Sequence, residues 1–427
     1  MRYPVGMRPL LVLCLVSVSV QAQLTSEQKQ LNTASFEKVW TTIRDKHREK
    51  KPGGLDWQAI HDEFRPKIDK ADSMEQARAV MREMLGRLHQ THFAIFPAAV
   101  YDDVDLEDGG EASPGIDLRI LDGIAVVTGV DPNSPADYAG VKRGWMVVSV
   151  EGKPLAPAIQ MLSADPQIHE LTLERAVLSR LSGHTGGKLH VVFLDGDGHN
   201  RPLELDLVEP RGNVSKFGNL PPMHVWMESK RLDPNVGYVG FNMFLDLVHV
   251  MAGFSDAVNS CLNCNGLIID LRGNPGGIGG MAMGMAGFLV DKPDLKLGTM
   301  YMRDTSIKFV INPRPEVFKG PVAILMDGSS ASTSEIFAGG LKDLGRARIF
   351  GTRSAAAALP SIIEKLPNGD GFQYAIANYV SEGGAALEAN GVTPDVEVKL
   401  TRKALLAGHD PVVDAAVDWI KKQKAIK

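Results

Sequence analysis

From about residue 214 to the C-terminus, short apolar runs alternate with helical stretches, and this rhythm restricts the fold more than any other feature. Residues 237–241, 266–271, 321–326, 346–351, 374–380 and 396–400 read as strands. Residues 281–290, 334–344 and 411–422 read as helices between or after them. Such alternation predicts an α/β layer with an extended central sheet. Two of the strands run through turns rich in Gly or Ser into helices, an arrangement that exposes backbone N–H groups and side chains to a ligand.

Upstream the pattern changes twice. Residues 24 to about 100 read as helical, with Trp40, Ile43 and His47 on one face. Ser73 and Gln76 form a capping-box start to a helix that runs to about His89. Between 108 and 210, β runs at 116–120, 124–127, 146–150 and 189–193 are punctuated by Gly and Pro, and a helical stretch spans 171–181. The expectation is a multi-domain chain, α/β plus α+β. Its parts are a leader at 1–22, a helical domain at 23–105, an α+β module at 106–212 and an α/β core at 213–427. No internal repeat or low-complexity tract is evident.

The leader reading rests on Arg2 and Arg8, the apolar run from Leu10 to Val20, and the small residue Ala22 after which cleavage is placed. An eleven-residue run is too short to span a bilayer. The mature chain is therefore expected to be exported, periplasmic or secreted, with no membrane span. The net charge of −5 gives no electrostatic reason to bind nucleic acid. Cys14 lies in the leader, which leaves Cys261 and Cys264 to close a small disulfide in an oxidising compartment. A redox centre is disfavoured because the pair precedes a strand rather than opening a helix after one.

Four constellations are candidates for chemistry. Residues 328–335, Gly-Ser-Ser-Ala-Ser-Thr-Ser-Glu, leave a strand and open a helix, where a nucleophilic Ser would be exposed and the helix N-terminus would favour an oxyanion. Ser332 and Glu335 also read as an ordinary capping box. Residues 270–280, Asp-Leu-Arg-Gly-Asn-Pro-Gly-Gly-Ile-Gly-Gly, suit an oxyanion loop better than a dinucleotide site, because an exported protein has little access to nicotinamide. His89 and His92 have a spacing that metals use, but no acidic or Cys partner is near in sequence, so no metal and no cofactor is expected. Residues 388–395, Glu-Ala-Asn-Gly-Val-Thr-Pro-Asp, form a turn before the last strand.

Together these segments resemble the carboxy-terminal processing (tail-specific) serine proteases, whose ClpP/crotonase-like core is shared with the tricorn protease. The match rests on Asp270 to Gly277, Ser330 to Ile336 and Gly391 to Asp395. Gly140 to Trp145, after Ser134-Pro135-Ala136, adds a resemblance to a PDZ domain. The resemblance places the nucleophile at Ser332. The Lys that serves as base in the processing proteases falls on Ala357, and neither Lys342 nor Lys365 occupies that place. The tricorn-like branch uses Ser, His and Glu instead, and Thr91-His92 and Glu388 match those positions. The resemblance thus implies Ser332 as nucleophile, His92 as general base and acid, and Glu388 as its orienter. Thr91 helps to position the network, and the oxyanion donors are the N–H groups of Gly276 or Gly277 and of Thr333. The PDZ-like module implies peptide capture at Gly115, Ile116, Asp117 and Leu118, or gating of the site.

Two readings follow. One is an exported serine endopeptidase acting on polypeptides; the other is an inactive protein that binds peptides or an apolar ligand on the same fold. The joint presence of Thr91-His92, Ser332 and Glu388 favours the enzyme, because a binding protein has no need of all three. Ser329, Ser330 and Ser334 are the fallback nucleophiles. The sequence carries no signal for an oligomeric state.

Overall fold

A computed structural model describes residues 24–98, 111–164, 169–233 and 235–424; the expected leader lies outside them. Helices α1 (Ser26–Lys46), α2 (Trp57–Asp69) and α3 (Met74–Gly86) come first, followed by the short strand β1 (Ala94–Phe96). Ser73 caps α3, its Oγ accepting the Gln76 N–H at 3.1 Å, but the Gln76 side chain accepts the Asp72 N–H at 2.7 Å and so does not close the expected box; the helix ends at Gly86, short of His89.

The middle module holds β2 (Ile116–Leu121), β3 (Ile124–Val130), β4 (Met146–Val150), α4 (Ala156–Ser163), α5 (Glu170–Leu178), β5 (Lys188–Leu194) and β6 (Asn200–Asp206). Its strands lie in sequence order, antiparallel, with β2 at one edge. Leu118, Val127, Val147, Val191 and Phe193 fill its core. The strand β6 was not foreseen, because most of its residues face water and leave no apolar run.

The remaining chain contains β7 (Met227–Asp233), β8 (Val236–Phe241), α6 (His249–Ser260), β9 (Gly266–Asp270), α7 (Gly279–Ala286), β10 (Lys296–Tyr301), β11 (Ser306–Val310), β12 (Val322–Met326), α8 (Thr333–Asp343), β13 (Ala347–Gly351), β14 (Ser361–Lys365), β15 (Gly371–Ala375), β16 (Asn378–Ser381), β17 (Val396–Glu397) and α9 (Pro411–Lys424). The central sheet has the order β7-β8-β9-β12-β13-β17, parallel except at β7. Successive residues point to opposite faces. Val239, Leu267, Ile269, Ile324 and Ile349 meet α6 to α8 on one face. Ile268, Ala323, Leu325 and Phe350 meet Val412, Ala416 and Ile420 of α9 on the other. Burial on both faces explains why these strands read as continuous apolar runs.

Two expected strands change on folding. The run 374–380 is two strands in different sheets: β15 pairs with β14 and β1, whereas β16 pairs with β10. The last strand is only two residues long, at the sheet edge beside β13.

The helical unit is not completed by neighbouring sequence. Phe36, Phe64, Met81 and Ile95 share their core with Leu366, Phe372 and Tyr374 of the β14–β15 hairpin, and Ile95 pairs with Phe372 across the small sheet. Arg78 of α3 bonds the fully buried Asp370 in the hairpin turn at 3.0 Å. The domain boundary expected near residue 105 therefore separates residues that the fold packs with segment 361–375. Phe372→Ala removes a ring with 0% exposure and is expected to cost about 3–5 kcal/mol. The check is a lower Tm with loss of activity below the melting transition, because β1 follows His92 directly.

Candidate active site

Both functional turns leave the C-terminal ends of adjacent parallel strands, β9 and β12, the edge where open α/β sheets place their ligands. Asn274 locks them together. It is fully buried, and its carbonyl accepts the Ala331 N–H at 3.0 Å and the Ser334 hydroxyl at 2.9 Å. Its side chain donates to Phe241 O and accepts the Gly276 N–H, at 2.8 and 2.9 Å. Gly276 has φ +96°, and a Cβ there would come within 2.8 Å of the Ser332 Cβ, so only glycine fits.

Ser332 sits at the N-cap of α8 with φ 54° and ψ −116°, a conformation that non-glycine residues rarely adopt. Its N–H is shared between Ala357 O at 2.8 Å and Glu335 Oε2 at 2.9 Å, so the anticipated capping box is present. Glu335 also takes the N–H groups of Ala356 and Ala357 and the Ser354 hydroxyl. Burial pushes the Glu335 carboxyl up to about 7, against the pull of these donors.

Segment 354–358 bridges the two halves of the site. Ala355 N–H donates to Ser330 O, and Ala389 N–H donates to Ala356 O. Ala358 N–H donates to Glu388 Oε2 at 3.0 Å. Glu388 in turn accepts the Thr91 N–H at 3.0 Å and the Thr91 hydroxyl at 2.9 Å. The Thr91 oxygen lies 2.7 Å from His92 Nδ1. A hydroxyl has one proton. Because Thr91 gives that proton to Glu388, it accepts from His92, which fixes the tautomer with hydrogen on Nδ1 and leaves Nε2 as the basic atom.

Glu388 thus reaches His92 through Thr91 and not directly, as the sequence implied. No hydrogen bond joins Ser332 to His92 in this structure; catalytic contacts are commonly long before substrate binds. Gly391, with φ +64°, allows its turn to approach the Ser354 hydroxyl, which also accepts the Val392 N–H at 2.6 Å.

Of the two glycines offered as oxyanion donors, Gly276 gives its N–H to Asn274. Gly277 and Thr333 keep theirs available, and the Thr333 hydroxyl donates to Gly277 O at 2.8 Å, which ties the pair. Lys342 donates to Thr393 O and pairs with Asp395, away from the nucleophile turn. Among the fallback serines, Ser330 donates to Leu271 O, Ser334 to Asn274 O and Ser329 to Glu174. Cys261 and Cys264 are joined in a disulfide at the end of α6.

The middle module touches the same turns. Arg119 bonds Asp327 at 2.8 Å and lies 3.5 Å from Glu174. Asp327 also takes the Gly273 N–H at 2.8 Å. Gly115 turns with φ +80°, Ile116 and Leu118 point into the module core, and Asp117 is exposed. Glu174 Oε1 accepts the Ile120 N–H on the edge strand β2 at 3.2 Å. Sequence reasoning missed Arg119, Glu174 and Arg175, whose relevance comes only from how the module packs.

Residues 235–398 match the profile of peptidase family S41, and residues 31–86 match the tricorn protease C1 domain. The core of this chain belongs to peptidase family S41. It is a serine-type peptidase by that membership. A carboxy-terminal-processing protease of Bartonella bacilliformis is 24% identical over 300 residues, covering 69% of this chain and 63% of that protein. A carboxyl-terminal-processing protease of Synechocystis is 23% identical over 420 residues, covering 94% and 88%. The solved photosystem II D1 C-terminal processing protease shares the fold, with a TM-score of 0.59, 22% identity, and 91% and 99% of the two chains covered.

The enclosure of His92 and the charge of Arg175 hold its imidazole down to about 4, from the usual 6.5. The free base therefore persists well below neutral pH. With His92 in the base role that the sequence leads one to expect, the acid limb of kcat/KM is expected near pH 4 rather than 6.5, read from a pH–rate profile. The same shift has a sign for stability. Unfolding lets His92 bind a proton between pH 6.5 and 4, so its contribution to stability is lost as pH falls through that window.

Proposed function

We propose that the mature chain is an exported serine endopeptidase that trims polypeptides near their carboxy-termini through Ser332, His92 and Glu388. The observation that carries this reading is the Glu388–Thr91–His92 chain of hydrogen bonds, which presents Nε2 as a base. The same Glu388 is bonded to segment 354–358, which also holds the Ser332 N–H.

In the reaction Ser332 Oγ attacks the peptide carbonyl while His92 Nε2 takes its proton. The imidazolium is stabilised through Thr91 by Glu388. The Gly277 and Thr333 N–H groups receive the oxyanion. His92 then gives the proton to the leaving amine, and water hydrolyses the acyl-enzyme by the same route. Ala357 stands where a Lys base would be, so the histidine is the base.

The middle module is read as PDZ-like, and the leader as an export signal. A cavity of about 290 Å³ between module and core is lined by Pro114, Ile116, Leu178, Met223, His224 and Met243. It would seat an apolar peptide residue beside the Gly115–Leu118 turn. No helix among the described residues is long and apolar enough to cross a membrane.

Fluorophosphonate labelling with the adduct mapped by mass spectrometry tests the reading. The label is expected on Ser332 and is expected to vanish in His92→Ala; folded protein without a labelled serine would leave the inactive binding protein. Thr91→Val keeps the shape but breaks the relay. It is expected to lower kcat by about 10²- to 10⁴-fold with little change in KM, whereas Thr91→Ser keeps most of the rate.

A further inference from the structure

One face of α5 lies over the nucleophile turn. Leu171 packs on Ala331, Ala355 and Ala357, the first of which precedes Ser332 while the last accepts its N–H. Glu174 bonds Ser329, and the Glu170 carboxylate lies against Gly328. Arg175 is one helical turn beyond Leu171 and so shares its face.

Arg175 differs from the other arginine of this junction. Arg119 is satisfied by Asp327, Glu174 and Leu118 O. Arg175 has no hydrogen bond and no carboxylate within 4.0 Å among the described residues. It remains open to solvent, yet enough protein surrounds it to lower its pKa below the usual value for arginine. Its charge is felt at His92. A guanidinium with five donors and no acceptor, beside a catalytic base, is a site for an anion.

Resting on the serine peptidase reading above, we propose that Arg175 is a specificity residue that binds a carboxylate of the substrate within a few residues of the scissile bond. Two sources have this chemistry, the terminal carboxylate of a tail and an Asp or Glu side chain. Either would pair with the planar fork of the guanidinium. The bound anion has a second effect. It neutralises the cation that opposes imidazolium formation when Ser332 loses its proton, so carboxylate substrates gain in kcat as well as in KM.

The test uses a decapeptide library cleaved by the full-length mature enzyme. Cleaved peptides are remade as C-terminal acid, C-terminal amide and Asp-to-Asn forms. The wild type is expected to prefer the carboxylate form by about ten- to a hundredfold in kcat/KM. Arg175→Lys keeps part of that preference. Arg175→Gln reduces it to within about twofold and leaves neutral peptides as fast or faster, and Arg175→Glu inverts it. Loss of the acid–amide difference identifies the terminal carboxylate, and loss of the Asp–Asn difference identifies the side chain. A wild type without preference, or a preference that survives Arg175→Gln, overturns the proposal. If no peptide is cleaved, the peptidase reading fails by itself. Fluorescence anisotropy of acid and amide peptides on Ser332→Ala, with and without Arg175→Gln, then decides the Arg175 assignment independently. Equal affinities would sink it.

Discussion

The buried carboxyl group of Glu335 is the contact on which the arrangement of the Ser332 turn depends. It has 0% exposure and gathers the N–H groups of Ser332, Ala356 and Ala357 together with the Ser354 hydroxyl. A carboxylate without such donors would not tolerate that position. With them, it fastens the strained Ser332 turn to segment 354–358. That segment then presents Ala358 N–H to Glu388, and through Glu388 the site reaches Thr91 and His92. The Ser332 turn, Glu388 and Thr91-His92 are thereby held by one buried carboxyl group and one bridging segment.

A second ionic centre connects the middle module to the same turns. Asp327, which follows β12, receives Arg119 from β2 and the backbone N–H of Gly273 from the glycine-rich turn after β9. Burial raises the Glu174 carboxyl to about 8, while Arg119 pulls it the other way. The module therefore does not hang from a linker. Its edge strand and its helix α5 each touch a loop that shapes the site, so displacing the module would disturb both.

The central sheet was legible because its strands are buried on both faces and cannot hide their apolar content. Edge elements were not: β7 reads Met-Glu-Ser-Lys-Arg-Leu-Asp, and its pairing with β8 has no signature in that string. The helix α6 and the strands β10, β11 and β14 were likewise passed over. The break between β15 and β16 was invisible because partners in two different sheets decide it. At the candidate site, the turns bearing Ser332, Gly277 and Glu388 each carry a local signature that the sequence displays. The diversion of the Gly276 N–H to Asn274 and the place of Thr91 between Glu388 and His92 needed the three-dimensional arrangement. Arg175 carried no signal at all, since an arginine on an amphipathic helix is ordinary until something packs beneath it.

The β14–β15 hairpin that completes the N-terminal helical unit also bears on the order of assembly. Phe372 and Tyr374 lie more than 330 residues beyond Phe36, yet all three share one core. A chain emerging from its N-terminus makes α1 to α3 early, but their apolar face has no cover until the hairpin has been made. Closing so long a loop comes late in folding. The strand that follows His92 waits for the same hairpin, so His92 reaches its place only after residues 361–375 have been made. A chain cut before residue 361 would carry the Ser332 turn without a seat for His92, so the hairpin is a condition for the proposed proteolytic site and not only a cover for the helices.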